Sequence, residues 1–239
     1  MFKKLAISGA ALIVAASAHA QVGPYNSTEL TVKGRILPGP CGIVLTGGGL
    51  ADFGDLPQAI VKTWPVAGVG ALARYEVPAA QAKSVPLAVH CDAPAKFALV
   101  FTDNRTASVS PVDAFRFGLG QYSPAGGTAV SIGSYLLGYD DFTVQATIGG
   151  ALTRPFTRLI NSAIPGTTPW TAAVGSANSF ISNGKSLAFA MAASTIIPDS
   201  LTAVSGNLVV TVAPLQSVVN AALTAIEFNG STTITLLGI

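Results

Sequence analysis

Two cysteines, Cys41 and Cys91, are the residues of this chain whose chemistry is easiest to place. An even number of cysteines in an exported chain points to a disulfide. A bridge would close a loop of about 50 residues and stabilise the fold by roughly 4 kcal/mol through the lost entropy of the unfolded chain. Zinc needs more ligands than the two thiols and the adjacent His90 provide. A Cys–His nucleophile is also excluded, because His90 and Cys91 are neighbours in an alternating strand and point to opposite faces. The sequence lacks G-x-S-x-G, so the serine-hydrolase elbow is missing. Carboxylate pairs for glycoside hydrolysis would have to come from Asp52/Asp55, Asp103, Asp113 or Asp140/Asp141. Asp52-Phe53-Gly54-Asp55 and Tyr139-Asp140-Asp141-Phe142 read as turns, where aspartate bonds nearby backbone N–H groups. Asp103-Asn104-Arg105 follows a strand. No oxygen-rich calcium loop is present. The expectation is no catalytic residue, no metal and no cofactor. Trp64, Tyr122, Tyr135, Tyr139 and Trp170 are aromatic enough to stack on a sugar, and equally suited to a sandwich core.

The N-terminus supplies the export argument. Met1-Phe2-Lys3-Lys4 is a basic start, Leu5–Ala16 is mostly apolar, and Ala18-His19-Ala20 is an A-x-A cleavage site. Together these predict a signal peptide over residues 1–20, with the mature chain starting at Gln21. The full chain has 239 residues, 13 basic and 11 acidic. Loss of Lys3 and Lys4 leaves 11 of each sign over 219 residues, so no basic surplus remains to capture nucleic acid or anionic lipid. Half of the residues are hydrophobic and only 10% are charged, against about 25% in ordinary globular chains. The stretch Ser200–Ile226 is uncharged, but its Ser, Thr, Asn, Pro and Gln residues break any run of membrane-helix length. Aromatic residues are neither frequent enough nor spaced for an outer-membrane barrel. The expected partners thus include no nucleic acid, and no membrane insertion is expected.

Glycine and proline recur along the whole chain, with short apolar runs between them, which predicts an all-β sandwich of short strands. Strands are expected at Leu30–Ile36, Val85–Cys91, Lys96–Thr102, Phe115–Leu119, Ser131–Leu137, Phe142–Ile148, Leu187–Ala192 and Leu208–Val212. Ala225–Phe228, Asn229-Gly230 and Thr232–Leu237 read as a closing hairpin. Residues 215–226 read as a loop with a short helix, helped by Pro214. Residues 155–184 read as a long surface connection.

The segment Thr31-Val32-Lys33-Gly34-Arg35-Ile36, followed by Leu37-Pro38-Gly39-Pro40-Cys41, resembles the start of chaperone–usher pilus subunits. Asp52-Phe53-Gly54 and a second cysteine closing an alternating strand fit the same pattern. Asp103-Asn104-Arg105, Phe117-Gly118-Leu119-Gly120 and Ile132-Gly133-Ser134-Tyr135 are similar to the uncharacterised fimbrial-like periplasmic proteins encoded beside chaperones and ushers. The resemblance implies an immunoglobulin-like, pilin-like β-sandwich lacking one strand, over residues 34–239. Residues 21–33 would be a donor-strand arm presenting Thr28, Leu30 and Val32 on one face. The acceptor groove would lie near the last strand, at Ile234 and Leu236. A missing strand leaves apolar residues and unpaired backbone groups open. A strand from another molecule fills the gap. The implied partners are a periplasmic chaperone, an outer-membrane usher and neighbouring pilus subunits. The implied role is a structural or adhesive fimbrial subunit, non-enzymatic, in the periplasm or on the cell surface. The alternative is a self-complete secreted or periplasmic sandwich that binds carbohydrate or another surface.

Overall fold

The computed structural model describes residues 41–125, 127–145, 157–161, 170–172, 181, 183–190 and 197–239. The signal segment 1–20, the arm 21–33 with Thr28, Leu30 and Val32, and the predicted strand Leu30–Ile36 lie outside the described residues.

The protein is an all-β sandwich with few helical turns. Its first strands are β1 (Cys41–Leu45), β2 (Val66–Ala67), β3 (Arg74–Tyr75), β4 (Lys83–Ala95) and β5 (Phe97–Asp103). After them come β6 (Arg116–Gly118), β7 (Gln121–Tyr122), β8 (Val130–Ser131) and β9 (Gly133–Gln145). The chain continues through β10 (Thr157–Asn161), β11 (Thr171–Ala172), β12 (Ser186–Ala190), β13 (Leu201–Pro214) and β14 (Thr232–Gly238). Two short helices, α1 (Gln58–Val61) and α2 (Gln216–Ala221), lie in the connections.

One sheet has the order β1-β4-β13-β9-β6 and the other β11-β10-β12-β5-β14. Every ladder between these strands is antiparallel. The alternation read in residues 85–91 is the physical basis of β4. Val85, Leu87, Val89 and Cys91 are buried, while Ser84, Pro86, Ala88 and His90 are exposed, so one face meets the core and the other solvent. The buried residues of β4, β13 and β9 meet Phe97, Leu99 and Phe101 of β5 and Leu187 and Phe189 of β12 in one core.

In the terms of an immunoglobulin sandwich, β1-β4-β13-β9 takes the places of strands A-B-E-D, and β5-β14 those of C and F. The G strand of that fold would lie beside β14. Among the described residues no strand occupies that edge.

Several local expectations change. Asn229-Gly230 does not turn a hairpin: residues 223–231 form no strand, and β14 pairs with β5 in the register Thr232↔Asp103 to Gly238↔Phe97. Tyr139–Phe142 is not a turn but part of β9, which at Gly133–Gln145 joins most of the strand expected at 131–137 to the described part of the one expected at 142–148. Asn207 pairs with Asp140 and Ser205 with Thr143, so two residues of β9 stand opposite Gly206 in a bulge. The acidic pair marks that bulge. The stretch 155–184 contributes β10, which pairs with β12 from Thr157↔Ala190 to Asn161↔Ser186, and β11 beyond it. α2 occupies part of the 215–226 segment, as read.

Candidate functional site

The two cysteines are joined. Cys41 of β1 faces Cys91 of β4 across the ladder, with Cα atoms 4.0 Å apart and a sequence separation of 50. Cys91 is fully buried and His90 exposed, so the two side chains do point apart. Asp52 makes the expected turn, accepting the Gly54 N–H at 2.7 Å. Asp103 is buried and spent on structure: one carboxylate oxygen accepts the Arg105 N–H and the other the Gly118 N–H, each at 2.8 Å. Trp64, Tyr135 and Tyr139 are buried in the core and offer no exposed stacking platform. Among the described residues no group of His, Cys, Asp and Glu is arranged to hold a metal. Among them, too, no helix is long and apolar enough to cross a membrane.

The feature that stands out is the seam between β1 and β14. Each is the last strand of its sheet, and they approach each other there. Ile43 and Leu45 of β1, and Ile234 and Leu236 of β14, face inward yet are only half-buried. Half-burial on both edge strands leaves apolar inner-face side chains partly accessible along this seam. A cleft of about 310 Å³ opens there, and its walls include Leu45, Phe53, Tyr135, Leu137, Val210 and Ile234. Ile234 lines this cleft. Leu236 shares its face further along the strand but is not part of the cleft wall.

The cleft is held open by fixed neighbours. Arg105 donates from Nε to the Asn229 carbonyl and from Nη2 to Asn229 Oδ1, both at 3.2 Å. The Asn229 N–H donates to the Leu119 carbonyl at 2.9 Å. A Cβ placed on Gly230 would lie 2.6 Å from Cε1 of Tyr135, so this glycine is required by close packing. Tyr135 hydrogen-bonds through its hydroxyl to Oγ1 of Thr232 at 2.5 Å and stacks on Phe117. Burial pushes its phenol up to about 12, against the opposing pull of the Thr232 bond. Away from the seam, Arg116 is buried and donates to Ser134 Oγ at 3.1 Å. Glu76 receives Arg74 at 3.1 Å and Arg116 at 3.6 Å. Burial, with Arg74 nearby, lowers the Arg116 pKa. This cluster ties β3 to β6 and β9 as a structural latch.

A second, larger cleft of about 930 Å³ runs on from the first, and the two share Leu50, Ala51, Phe53 and Phe228. It lies between residues 50–58 and 222–228, beyond the Thr232 end of β14. Gln58 crosses its floor, donating from Nε2 to the Val219 carbonyl. Three exposed carboxylates, Asp52, Asp55 and Glu227, line it, and among the described residues no lysine or arginine joins its walls. Parity along the last strand pointed to Ile234 and Leu236. The rest of the first cleft's lining comes from six stretches of chain, at 45–53, 85, 119, 135–137, 208–212 and 228–231, which no local pattern brings together.

The fold is a disulfide-linked, immunoglobulin-type sandwich in which, among the described residues, no strand lies on the outer edge of β14. A family model described as "Protein of unknown function (DUF1120)" matches residues 30–151, just over half of the chain. The chain belongs to that family. The match spans β1 to β9, and β10 to β14 follow it. No curated protein and no solved structure matches the chain.

Proposed function

We propose that this protein is a non-enzymatic subunit of a fimbrial-type assembly, exported by the leader at residues 1–20 and completed by a strand donated from another molecule. A periplasmic chaperone would fill the cleft first, an outer-membrane usher would direct exchange, and a neighbouring subunit would provide the final strand. The observation that carries this reading is β14. It holds the F position with a free outer edge among the described residues, above a cleft lined by core residues. Open edges of this kind favour strand addition, in which main-chain hydrogen bonds give affinity and alternate side chains give specificity. The disulfide supports an oxidising compartment, and the order of the pilin-like motifs supports the assembly pathway. The test is thermal unfolding of the purified mature chain with and without a peptide of residues 21–33. A saturable rise in melting temperature is expected. A stable monomer that the peptide does not shift would overturn the proposal.

A further inference from the structure

We propose that Asn229-Gly230 is a site of spontaneous deamidation, at which the asparagine amide becomes a carboxylate facing Arg105. The pair does not turn a hairpin, and its two residues are instead presented at the surface beside a guanidinium. Asparagine followed by glycine closes most easily to a cyclic imide, because glycine has no Cβ to shield the attacking nitrogen. In the reaction the glycine nitrogen gives its proton to solvent base and bonds to Cγ of the asparagine. The side-chain amide C–N bond then breaks, ammonia leaves, and a five-membered imide remains. Water opens the imide at either carbonyl, to aspartate or to isoaspartate. Water is the sole co-reactant, and nothing is oxidised or reduced.

The chain holds a second such pair, Asn183-Gly184, and the two differ in the groups that must react. At Asn183-Gly184 the attacking nitrogen is tied: its N–H donates to the Phe101 carbonyl at 2.7 Å. The Asn183 N–H donates to the Ala114 carbonyl at 2.8 Å, and Asn183 Oδ1 accepts the Asp103 N–H at 2.9 Å. At Asn229-Gly230, among the described residues, no acceptor pairs with the Gly230 N–H. Both residues are exposed, so solvent base reaches that proton. Arg105 supplies the second element, donating from Nη2 to Asn229 Oδ1 and from Nε to the Asn229 carbonyl, both at 3.2 Å. Oδ1 is the atom on which negative charge develops as the nitrogen attacks Cγ, and a guanidinium already bonded there stabilises that charge. The same fork holds both carbonyls of Asn229 on one side, which keeps the side chain folded back along the peptide on which it closes. The product bears on the cleft, which Gly230 lines. Aspartate gives Arg105 a carboxylate, a charge-assisted bond in place of one to a neutral acceptor. Isoaspartate adds a carbon to the main chain where there is no slack, since a Cβ on Gly230 would lie 2.6 Å from Cε1 of Tyr135.

The test is to age the purified mature protein in mildly alkaline water enriched in heavy oxygen and to map its peptides by mass spectrometry. Each opened imide takes up one labelled oxygen, so the label counts reaction at each asparagine. In the folded protein Asn229 should react at least about ten-fold faster than Asn183, the scale of one hydrogen bond that must be broken or that strengthens in the transition state. In the urea-unfolded chain both should react at similar rates. Arg105→Met should slow Asn229 about ten-fold in the folded protein and leave the unfolded rate unchanged. If Asn229 stays intact in the folded protein while it reacts in the unfolded chain, the site is protected and the proposal fails. If Asn229 reacts faster in folded Arg105→Met, the guanidinium restrains the residue and its activating role is wrong.

Discussion

Opening the Cys41–Cys91 bridge is the perturbation with the largest calculable effect. The two residues are direct cross-strand partners, and their sequence separation is 50. Restoring that loop's freedom to the unfolded chain is worth about 4 kcal/mol. For a chain of this size the loss lowers the melting temperature by about 8–16 °C. Among the described residues β1 has one neighbouring strand in its sheet, and its inward Ile43 and Leu45 are only half-buried. The bridge therefore fixes one wall of the cleft as well as the stability of the whole. The assay is urea unfolding of the Cys41→Ala, Cys91→Ala protein beside the wild type, and of the wild type under reducing conditions. Both should lose a similar amount, since reduction removes the cross-link without removing atoms. Donor-peptide binding should weaken in parallel. A loss below about 1 kcal/mol in either case would refute the reasoning, because the unfolded chain would then gain almost nothing from release of the loop.

Gly230→Ala should cost about 1–3 kcal/mol, the range for overpacking a fixed site, because the Tyr135 ring that the new methyl meets is held by Phe117 and Thr232. A stability within about 0.5 kcal/mol of wild type, the scale of neutral surface changes, would contradict this. Tyr135 gives a pH prediction. Its folded pKa is raised from 10.0 to about 12, so its contribution is intact below pH 10 and is lost as pH climbs through about 12. The total change is roughly 2–3 kcal/mol, and in Tyr135→Phe this part of the alkaline loss should disappear. Ile234→Asp, at a half-buried edge position, should leave the protein folded by circular dichroism and abolish the stabilisation by the donor peptide. Retained stabilisation would place the acceptor site elsewhere.

The parts of the fold that could be read in the sequence are those with local causes. β4 was readable because strict alternation from Val85 to Cys91 has one buried and one solvent face. The Cys41–Cys91 bridge followed from cysteine count and the exported character of the chain. The Asn229-Gly230 hairpin failed because the cue is local while the forces are not: Asn229 is held by Arg105, Gly230 lies under Tyr135, and β14 finds its partner in β5. Asp140-Asp141 misled in the same way, since a bulge opposite Gly206 and a turn attract the same residue types. β10 lies in a polar stretch whose strand character comes from its register on β12. At the cleft, parity along the last strand groups Ile234, which lines it, with Leu236, which does not. Phe53, Tyr135, Leu137, Val210 and Phe228 become neighbours only through the strand order.

The most direct test of an open seam is hydrogen exchange of the dilute, monomeric mature protein, followed along β1 and β14 before and after saturation with the arm peptide. The account predicts that the β14 amides not bonded to β5 exchange much faster than those of the central strand β13, and that the peptide slows them together with β1. Slow exchange of β14 in the free monomer, equal to that of β13 and unchanged by the peptide, would mean that the sandwich is already closed.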